Sequence, residues 1–461
     1  MLTDMTYRID SRVKKIRKQS PRRPYSISRP RNDAELRNCL RRDFGIAFPD
    51  VQVCPNHSTP WRAFCDAFFC RKSIVVWKAS RGFGGKSFML SVLGTVEAHY
   101  LGAYVTILGG SGEQSARVHR YIREHRRKLD LPEDEATKRE SSFGERGLVQ
   151  ALMASSRSVR GPHPQRLRLD EVDEMHPDLF EAALGQPMAT RDIGKQTVIS
   201  STHHYSNRTM TLALARAQER GWPIHEWCYR ETMEPHGWLL ETEIASKRGE
   251  VSTRNWETEY DMQKPVLGGL VYPEFGPANL THEEPSPFLP IEIAVDDGYN
   301  DPRAILFIQR RGDSVLVFDE LYHRHHLSET CVQEIITRCE AWPWPSEDRD
   351  QLLSERSRIK PELAIGSPEA KELQQRFRRA DIPYRFQPHK IVEGVERVRR
   401  MICNSKGYRT LRVHPRCSNL VREFGEYQYA GTQAQADENP QDGNDHALDA
   451  LRYWLWMRMP Q

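Results

Sequence analysis

No stretch of the 461-residue sequence holds the roughly 18 uncharged apolar residues that a membrane-spanning helix needs, so no helical membrane protein is expected. Hydrophobic residues make up only 38% against 28% charged, with a mean hydropathy of -0.69, and the expectation is a soluble chain. Paired cysteines are missing too. The nine, Cys39, Cys54, Cys65, Cys70, Cys228, Cys331, Cys339, Cys403 and Cys417, show no C-x-x-C and no regular spacing, which argues against a disulfide scaffold and suits a reducing cytosol. Cys54 and His57 have ligand-like spacing, with Cys65 and Cys70 downstream, but a zinc site needs paired short spacings and none is expected. The N-terminal stretch lacks an apolar core followed by a small-residue cleavage site, so it does not read as a secretory signal. No internal repeat is visible, which excludes a solenoid.

A large excess of one charge sign is also absent, since 67 Lys and Arg face 63 Asp and Glu for a formal net charge of +4. The charge is nevertheless segregated. The first 31 residues carry ten basic residues, Lys14, Lys15, Arg17 and Lys18 among them, against Asp4 and Asp10, so this arm is either a solvated tail or a phosphate-seeking one. Length alone suggests two or three domains.

After the arm and a short helix near Asp33 to Asp43, the run SIVVWKAS (73–80) reads as a buried strand ended by a glycine cluster, and a helix follows from Lys86. AYVTILGG (103–110) and the Arg-rich helix from Gln114 repeat the alternation, and RLRLDE (166–171) and QTVISST (196–202) add strands. This order predicts a parallel sheet with crossover helices. Residues 265–290 hold six prolines and read as a linker. Beyond it, three strands over 291–298, 304–312 and 314–322, with a turn at Gly312 and Asp313, precede alternating helices and strands and a final helix near 445–457, a second and different α/β fold. The expected boundaries are 1–50 for arm and helix, 51–245 for the first domain, 246–289 for the linker and 290–461 for the second domain.

SRGFGGKS (80–87), between a strand and a helix, follows the phosphate-loop pattern except that Ser80 replaces the first glycine. Gly82, Gly84 and Gly85 would present unhindered N–H groups to phosphates, Lys86 would reach the β and γ phosphates, and the Ser87 hydroxyl would face Mg²⁺. A strand-end acidic pair is the second requirement, and Asp170 and Glu171 supply it, one for the Mg²⁺ shell and one to polarise water. SSTHH (200–204) offers hydroxyls that could sense a γ phosphate, with His203 and His204 read as structural or exposed.

In the second half, strand alternation sends Asp296 and Asp297 to opposite faces, so one of them faces a site. Asp445 and Asp449, at i and i+4, share a helix face, and carboxylates gathered from a strand and a helix suit a metal-dependent nuclease. Asp442 or Asn444 reads as the cap of that helix.

SRGFGGKS, SVRG (158–161) ahead of LRLDE, and ISST resemble the ATPase half of the large terminase subunit of tailed bacteriophages, and AVD-x-G with DHALDALRY resembles its nuclease half. The resemblance implies a P-loop ATPase domain of the RecA/ASCE-like type followed by an RNase H-like nuclease domain, with ATP, Mg²⁺ and, at the nuclease, Mn²⁺. Trp61, after Pro60, takes the place of an aromatic near the adenine, with Arg62 where the family has glutamine. Arg81 would stabilise transferred charge, and Arg157 or Arg160 would serve a neighbouring subunit. A departure is GSPEA (366–370), where Ser367 stands in the position of a family acid and Glu369 is the candidate replacement. The implied activity is ATP-driven translocation of double-stranded DNA into a procapsid and cleavage of concatemers. The alternative is a translocating ATPase whose second domain only binds DNA or cuts weakly. The implied partners are DNA, the portal and procapsid, a small terminase subunit and a ring of copies, in the host cytoplasm.

Overall fold

The structure, a computed structural model, describes residues 28–459 apart from 132–138, 145, 162, 206–207, 266–268, 343–359, 430–439, 442 and 444. Most of the basic arm, and the capping candidates Asp442 and Asn444, lie outside the described residues. The chain divides into two compact units, Met1–Ile244 with Glu257–Val266, and Ala245–Trp256 with Leu267–Gln461. No helix among the described residues is long and apolar enough to cross a membrane.

The first unit is built on seven strands: β1 (Ile74–Ala79), β2 (Tyr104–Gly109), β3 (Glu140–Phe143), β4 (Gly147–Met153), β5 (Arg166–Asp170), β6 (Gln196–Ser201) and β7 (Ile224–Trp227). Their order is β3-β4-β2-β5-β6-β1-β7, parallel throughout except for β3 at the edge. Strand β6 lies between β1 and β5. The Val- and Ile-rich strands are buried on both faces because helices cover both, which parallel sheets demand. In β5 the alternation has a use. Leu167 and Leu169 enter one apolar cluster, while Arg166 and Arg168 turn to the other face and pair with the buried Glu97 of helix Lys86–Leu101. Asp170 continues the second series, so its carboxylate is carried to the face where that helix begins.

The second unit holds β8 (Glu292–Asp296), β9 (Arg303–Arg311), β10 (Ser314–His323), β11 (Leu363–Gly366), β12 (Tyr384–Arg385) and β13 (Leu411–Val413), in the order β12-β11-β8-β9-β10-β13. Strand β9 is antiparallel to β8 and β10, and the outer strands run parallel to their neighbours. The final helix, His446–Arg458, is buried along Ala447, Leu448, Leu451, Trp454 and Leu455. It lies on the β8 face that bears Glu292, whose carboxylate accepts from Trp454 Nε1 at 2.9 Å and Arg458 Nε at 2.9 Å.

The stretch 246–289, expected to be a linker, differs from that reading. Residues 257–266 pack within the first unit, and the flanking segments pack within the second. Val271 and Tyr272 are core residues of the second unit, and the buried Asn279 amide donates to the Ile402 and Leu411 carbonyls at 3.0 and 3.1 Å. Proline density marks extended backbone here, and burial of two apolar side chains anchors it.

Candidate functional site

The loop after β1 is narrow for physical reasons. A Cβ on Gly84 would meet Ala79 Cβ at 2.8 Å and the Ser80 carbonyl oxygen at 2.9 Å, and Gly85 has φ +68° with the Trp238 ring 2.7 Å from where its Cβ would stand. Both positions exclude side chains. The loop is then tied down. The Ser80 hydroxyl donates to the Tyr260 carbonyl at 2.7 Å, and Trp227 Nε1 donates to the Gly84 carbonyl at 2.9 Å. Gly82, at φ +67°, completes the turn.

Lys86 begins the following helix, and its buried ammonium donates to Thr202 Oγ1 at 2.7 Å, the Ala79 carbonyl at 3.0 Å and the Ser80 carbonyl at 3.2 Å. It also stands 3.6 Å from a Glu171 carboxylate oxygen. Asp170 is fully buried, and neither of its carboxylate oxygens has a hydrogen-bond partner. Burial, reinforced by the adjacent Glu171 charge and only partly offset by Ser87 and Lys86, pushes it up to about 7. An anion left in that condition is costly, and a cation beside Ser87 and Asp170 relieves the cost. The residues present therefore suit a divalent ion. Glu171 sits in left-handed backbone, φ 52°, and accepts from the Ser201 hydroxyl at 3.2 Å and the Thr202 N–H at 3.4 Å. Burial opposes its ionisation, yet Lys86 and His204 hold it below the usual carboxylate range. The two adjacent acids are thus pushed in opposite directions, which suits different roles.

Arg81 points from the loop to Glu259, with contacts of 2.8 and 3.0 Å, and His204 Nδ1 lies 2.9 Å from the same carboxylate. The structure joins His204 to the site's periphery, where the sequence suggests only a structural or exposed role. Arg157 and Arg160 are exposed on the turn after β4. Trp61 is buried in helix Pro60–Phe68, stacked with Phe64, and the Arg37 guanidinium lies 4.6 Å from its ring. It forms one wall of a cleft of about 770 Å³ with Arg37, Asp50, Gln52, Thr59 and Arg62. Trp227, Trp238 and Glu259 are loop neighbours that sequence reasoning does not single out, whereas Thr202 belongs to the hydroxyl-bearing run 200–204.

In the second unit, β8 alternation places Ile293 and Val295 in one apolar cluster and Ala294 in the other. Asp297 therefore faces away and pairs with Arg303 Nε at 2.7 Å, whereas Asp296 faces the final helix and lies 3.1 Å from His446 Nδ1. Asp445 caps that helix without a side-chain capping bond, and burial raises its carboxyl above the usual range. Asp449, one turn on, is half-buried. Burial, with Asp445 and Asp296 adding to it and Arg452 opposing, pushes it up to about 7. Arg452 NH1 comes within 2.7 Å of Asp449 Oδ1, but too poorly aligned for a hydrogen bond, and that oxygen has no hydrogen-bond partner. The mutual influence of Asp296, Asp445 and Asp449 marks one acidic centre, and the orphaned Oδ1 suits a cation there.

Two further residues shape this centre. Glu423, on helix Ser418–Glu426, accepts from the Leu448 N–H at 3.0 Å and from the Tyr322 hydroxyl at 2.7 Å, capping the final helix from outside. The register of β11 on β8 pairs Gly366 with Val295, which brings Ser367 alongside Asp296. Glu369 is exposed, and its N–H donates to Ser367 Oγ at 3.2 Å. No hydrogen bond or ion pair among the described residues ties it to Asp296, Asp445 or Asp449.

Residues 297–458 match the family model described as the terminase RNaseH-like domain. No curated protein sequence matches the chain. Among solved structures, the chain is similar to the large terminase of a thermophilic bacteriophage in complex with ADP, with TM-score 0.57, 13% identity, and coverage of 87% of this chain and 99% of that one. The same thermophilic-phage protein in complex with ATP-gamma-S gives TM-score 0.56 at 12% identity, covering 86% and 98%. The HK97 bacteriophage large terminase covers 92% and 99% at 14% identity, with TM-score 0.40. The resemblance noted in the sequence thus extends to the fold. The chain is mixed α/β, with a mainly parallel sheet in the first unit and, over residues 297–458, a match to the RNaseH-like model, in a fold similar to that of a large terminase.

Proposed function

We propose that this chain is the large subunit of a phage terminase, a motor that uses ATP to move double-stranded DNA into a procapsid and a nuclease that cuts the concatemer. One observation carries the reading: each unit contains a solvent-shielded carboxylate oxygen without a hydrogen bond at the position where the fold would place a cation, both oxygens of the buried Asp170 in the first and Oδ1 of the half-buried Asp449, beside Arg452, in the second. The thermophilic-phage relative was solved with ADP and with ATP-gamma-S, which supports a nucleotide at the loop of residues 80–87.

In the ATPase unit, Gly82, Gly84 and Gly85 present backbone N–H groups to the phosphates. Lys86 exchanges its Thr202 and carbonyl partners for phosphate oxygens. Mg²⁺, held by Ser87 and Asp170, would supply neutralisation of phosphate charge. Glu171, kept ionised, accepts a proton from the attacking water, and Arg81 leaves Glu259 to meet charge on the transferred group. Arg157 or Arg160, both exposed, would act on a neighbouring subunit of a ring. An adenine stacked on Trp61 would displace Arg37. In the nuclease unit, Asp296, Asp445 and Asp449 would hold Mg²⁺ or Mn²⁺, which would supply activation of water and stabilisation of the leaving oxygen. Partners would be DNA, the portal on its procapsid and a small subunit, met in the host cytoplasm.

ATP hydrolysis measured with and without DNA and portal-bearing procapsids tests the motor. Stimulation by both together is expected, and a rate indifferent to either would refute it. The second reading, a translocating ATPase with a weak or merely DNA-binding second domain, is favoured by Ser367 beside Asp296 and by the exposure of Glu369. Calorimetric Mn²⁺ titration of the Asp170→Asn chain separates them, because with the first centre disabled a silent second module leaves no tight ion uptake.

A further inference from the structure

Away from both acidic centres, four side chains from two distant segments of the first unit converge. Cys54, His57, Cys228 and Glu231 place one sulfur, nitrogen or oxygen donor each within 4.8 Å of one another. We propose that these four residues form a structural zinc site.

The geometry matches that ion. The Cys54 and Cys228 sulfurs are 3.7 Å apart, far beyond a disulfide of about 2.0 Å but close to the edge of about 3.8 Å that two thiolates make around tetrahedral zinc. Small side-chain rotations bring the remaining donors onto the other two corners. Each segment contributes a pair at the same short spacing, Cys54-x-x-His57 and Cys228-x-x-Glu231. Asn56, in left-handed backbone at φ 65°, and the His57 N–H bond to the Cys54 carbonyl at 3.2 Å fold the first pair into a tight turn aimed at one point. In the second, the Arg230 N–H lies 3.4 Å and its guanidinium 3.6 Å from the Cys228 sulfur, donors that suit a thiolate.

The surroundings hold the ligands as metal sites do. Glu231 is fully buried and is steadied by the Cys54 N–H at 2.7 Å and the Cys228 N–H at 2.9 Å, with His57 Nδ1 3.0 Å away. The other imidazole nitrogen of His57 lies 3.8 Å from Glu226, which Lys78 holds at 3.0 Å, a carboxylate–histidine arrangement that orients a ligand. Two thiolates, a carboxylate and a neutral imidazole around a divalent ion leave one excess negative charge, and Arg230 stands beside it. All four corners are protein donors, so the site is closed and structural rather than catalytic. Soft sulfur donors favour zinc over the magnesium suited to the carboxylate centres.

The site would join the segment leading into the Trp61 helix to the end of β7, next to Trp227, whose indole supports the phosphate loop. It would close a loop of 174 residues. The full-length protein, purified under reducing conditions without added chelator, should contain one zinc per chain. Cobalt reconstitution should give sulfur-to-cobalt charge-transfer bands and the strong visible bands of a tetrahedral ion. Neither acidic centre contains a thiol, so these bands do not report an ion at either of them. Cys54→Ser, at a half-buried position, should weaken the charge-transfer band and lower zinc content at least tenfold after dialysis, with unchanged circular dichroism. Folded wild-type protein without stoichiometric zinc and without the cobalt spectrum would overturn the proposal. So would zinc retained by a folded Cys54→Ser, Cys228→Ser double variant, or a Cys54–Cys228 disulfide found by mass spectrometry in metal-free protein.

Discussion

The two acidic centres are built in contrasting ways. The first is compact in sequence: Ser80 to Ser87 form one continuous loop, Asp170 and Glu171 are neighbours, and Lys86 is already held by three oxygen partners. The second is gathered from segments about as far apart as the domain allows, with Asp296 and His446 separated by 150 residues. Its members lean on supports elsewhere, Glu423 for the helix cap and Arg452 for Asp449. A site on one loop is preorganised by local backbone. A site assembled by a sheet and a helix depends on the whole unit being folded.

Removing the central cation should separate the two most sharply. Lys86→Ala is expected to lower ATP hydrolysis about 100-fold or more while leaving metal-dependent plasmid cleavage intact. Persistence of the wild-type hydrolysis rate would break the comparison at its first member. Asp296→Ala should do the reverse, with cleavage falling about 100-fold or more and ATPase unchanged in the same preparation. Continued cutting would assign the nuclease to other residues.

A smaller effect concerns stability. Asp449 has its folded value raised to about 7, so its contribution is fully present below the ordinary carboxylate range and is lost as pH rises through 7. In metal-free protein, Asp449→Asn should therefore raise the melting temperature at pH 8, by a gain on the order of 1 kcal/mol after allowing for the charge partner lost by Arg452. The difference should vanish near pH 4. A lower melting temperature at pH 8 would show that pairing with Arg452 outweighs burial. The smallest effect is Ser367→Asp, expected to tighten Mn²⁺ binding several-fold at the second centre and leave nucleotide affinity unmoved, as read by calorimetry.

Strand periods and turn residues mark β1, β2, β5, β6 and β8 to β11 within a residue or two, because each is a β-branched or alternating run bounded by glycine, proline or acid. The helices Ile391–Ile402 and Ser418–Glu426 and strand β13 escape such a reading. The loop of residues 80–87 is legible because its pattern is local in sequence. Trp238 and Glu259 are not, since nothing near them in sequence announces a loop more than 150 residues away. The thiol cluster shows the same limit. Cys54 and His57 stand out by spacing but lack a second short-spaced pair nearby, and that pair, Cys228 and Glu231, is brought in only by β7. Its acid disguises it, and Cys65 and Cys70, nearer in sequence, take no part.

The division of the chain between the two units has a practical side for anyone wishing to isolate the second. A polypeptide cut at 290, where proline-rich sequence invites the cut, would begin without Val271, Tyr272 and Asn279. It would expose the apolar floor beneath Phe424 and remove the Asn279 amide from the Ile402 and Leu411 carbonyls. Such a fragment would be a poor test of the proposed cleavage, because the second unit starts some twenty residues earlier and takes a further strip, 245–256.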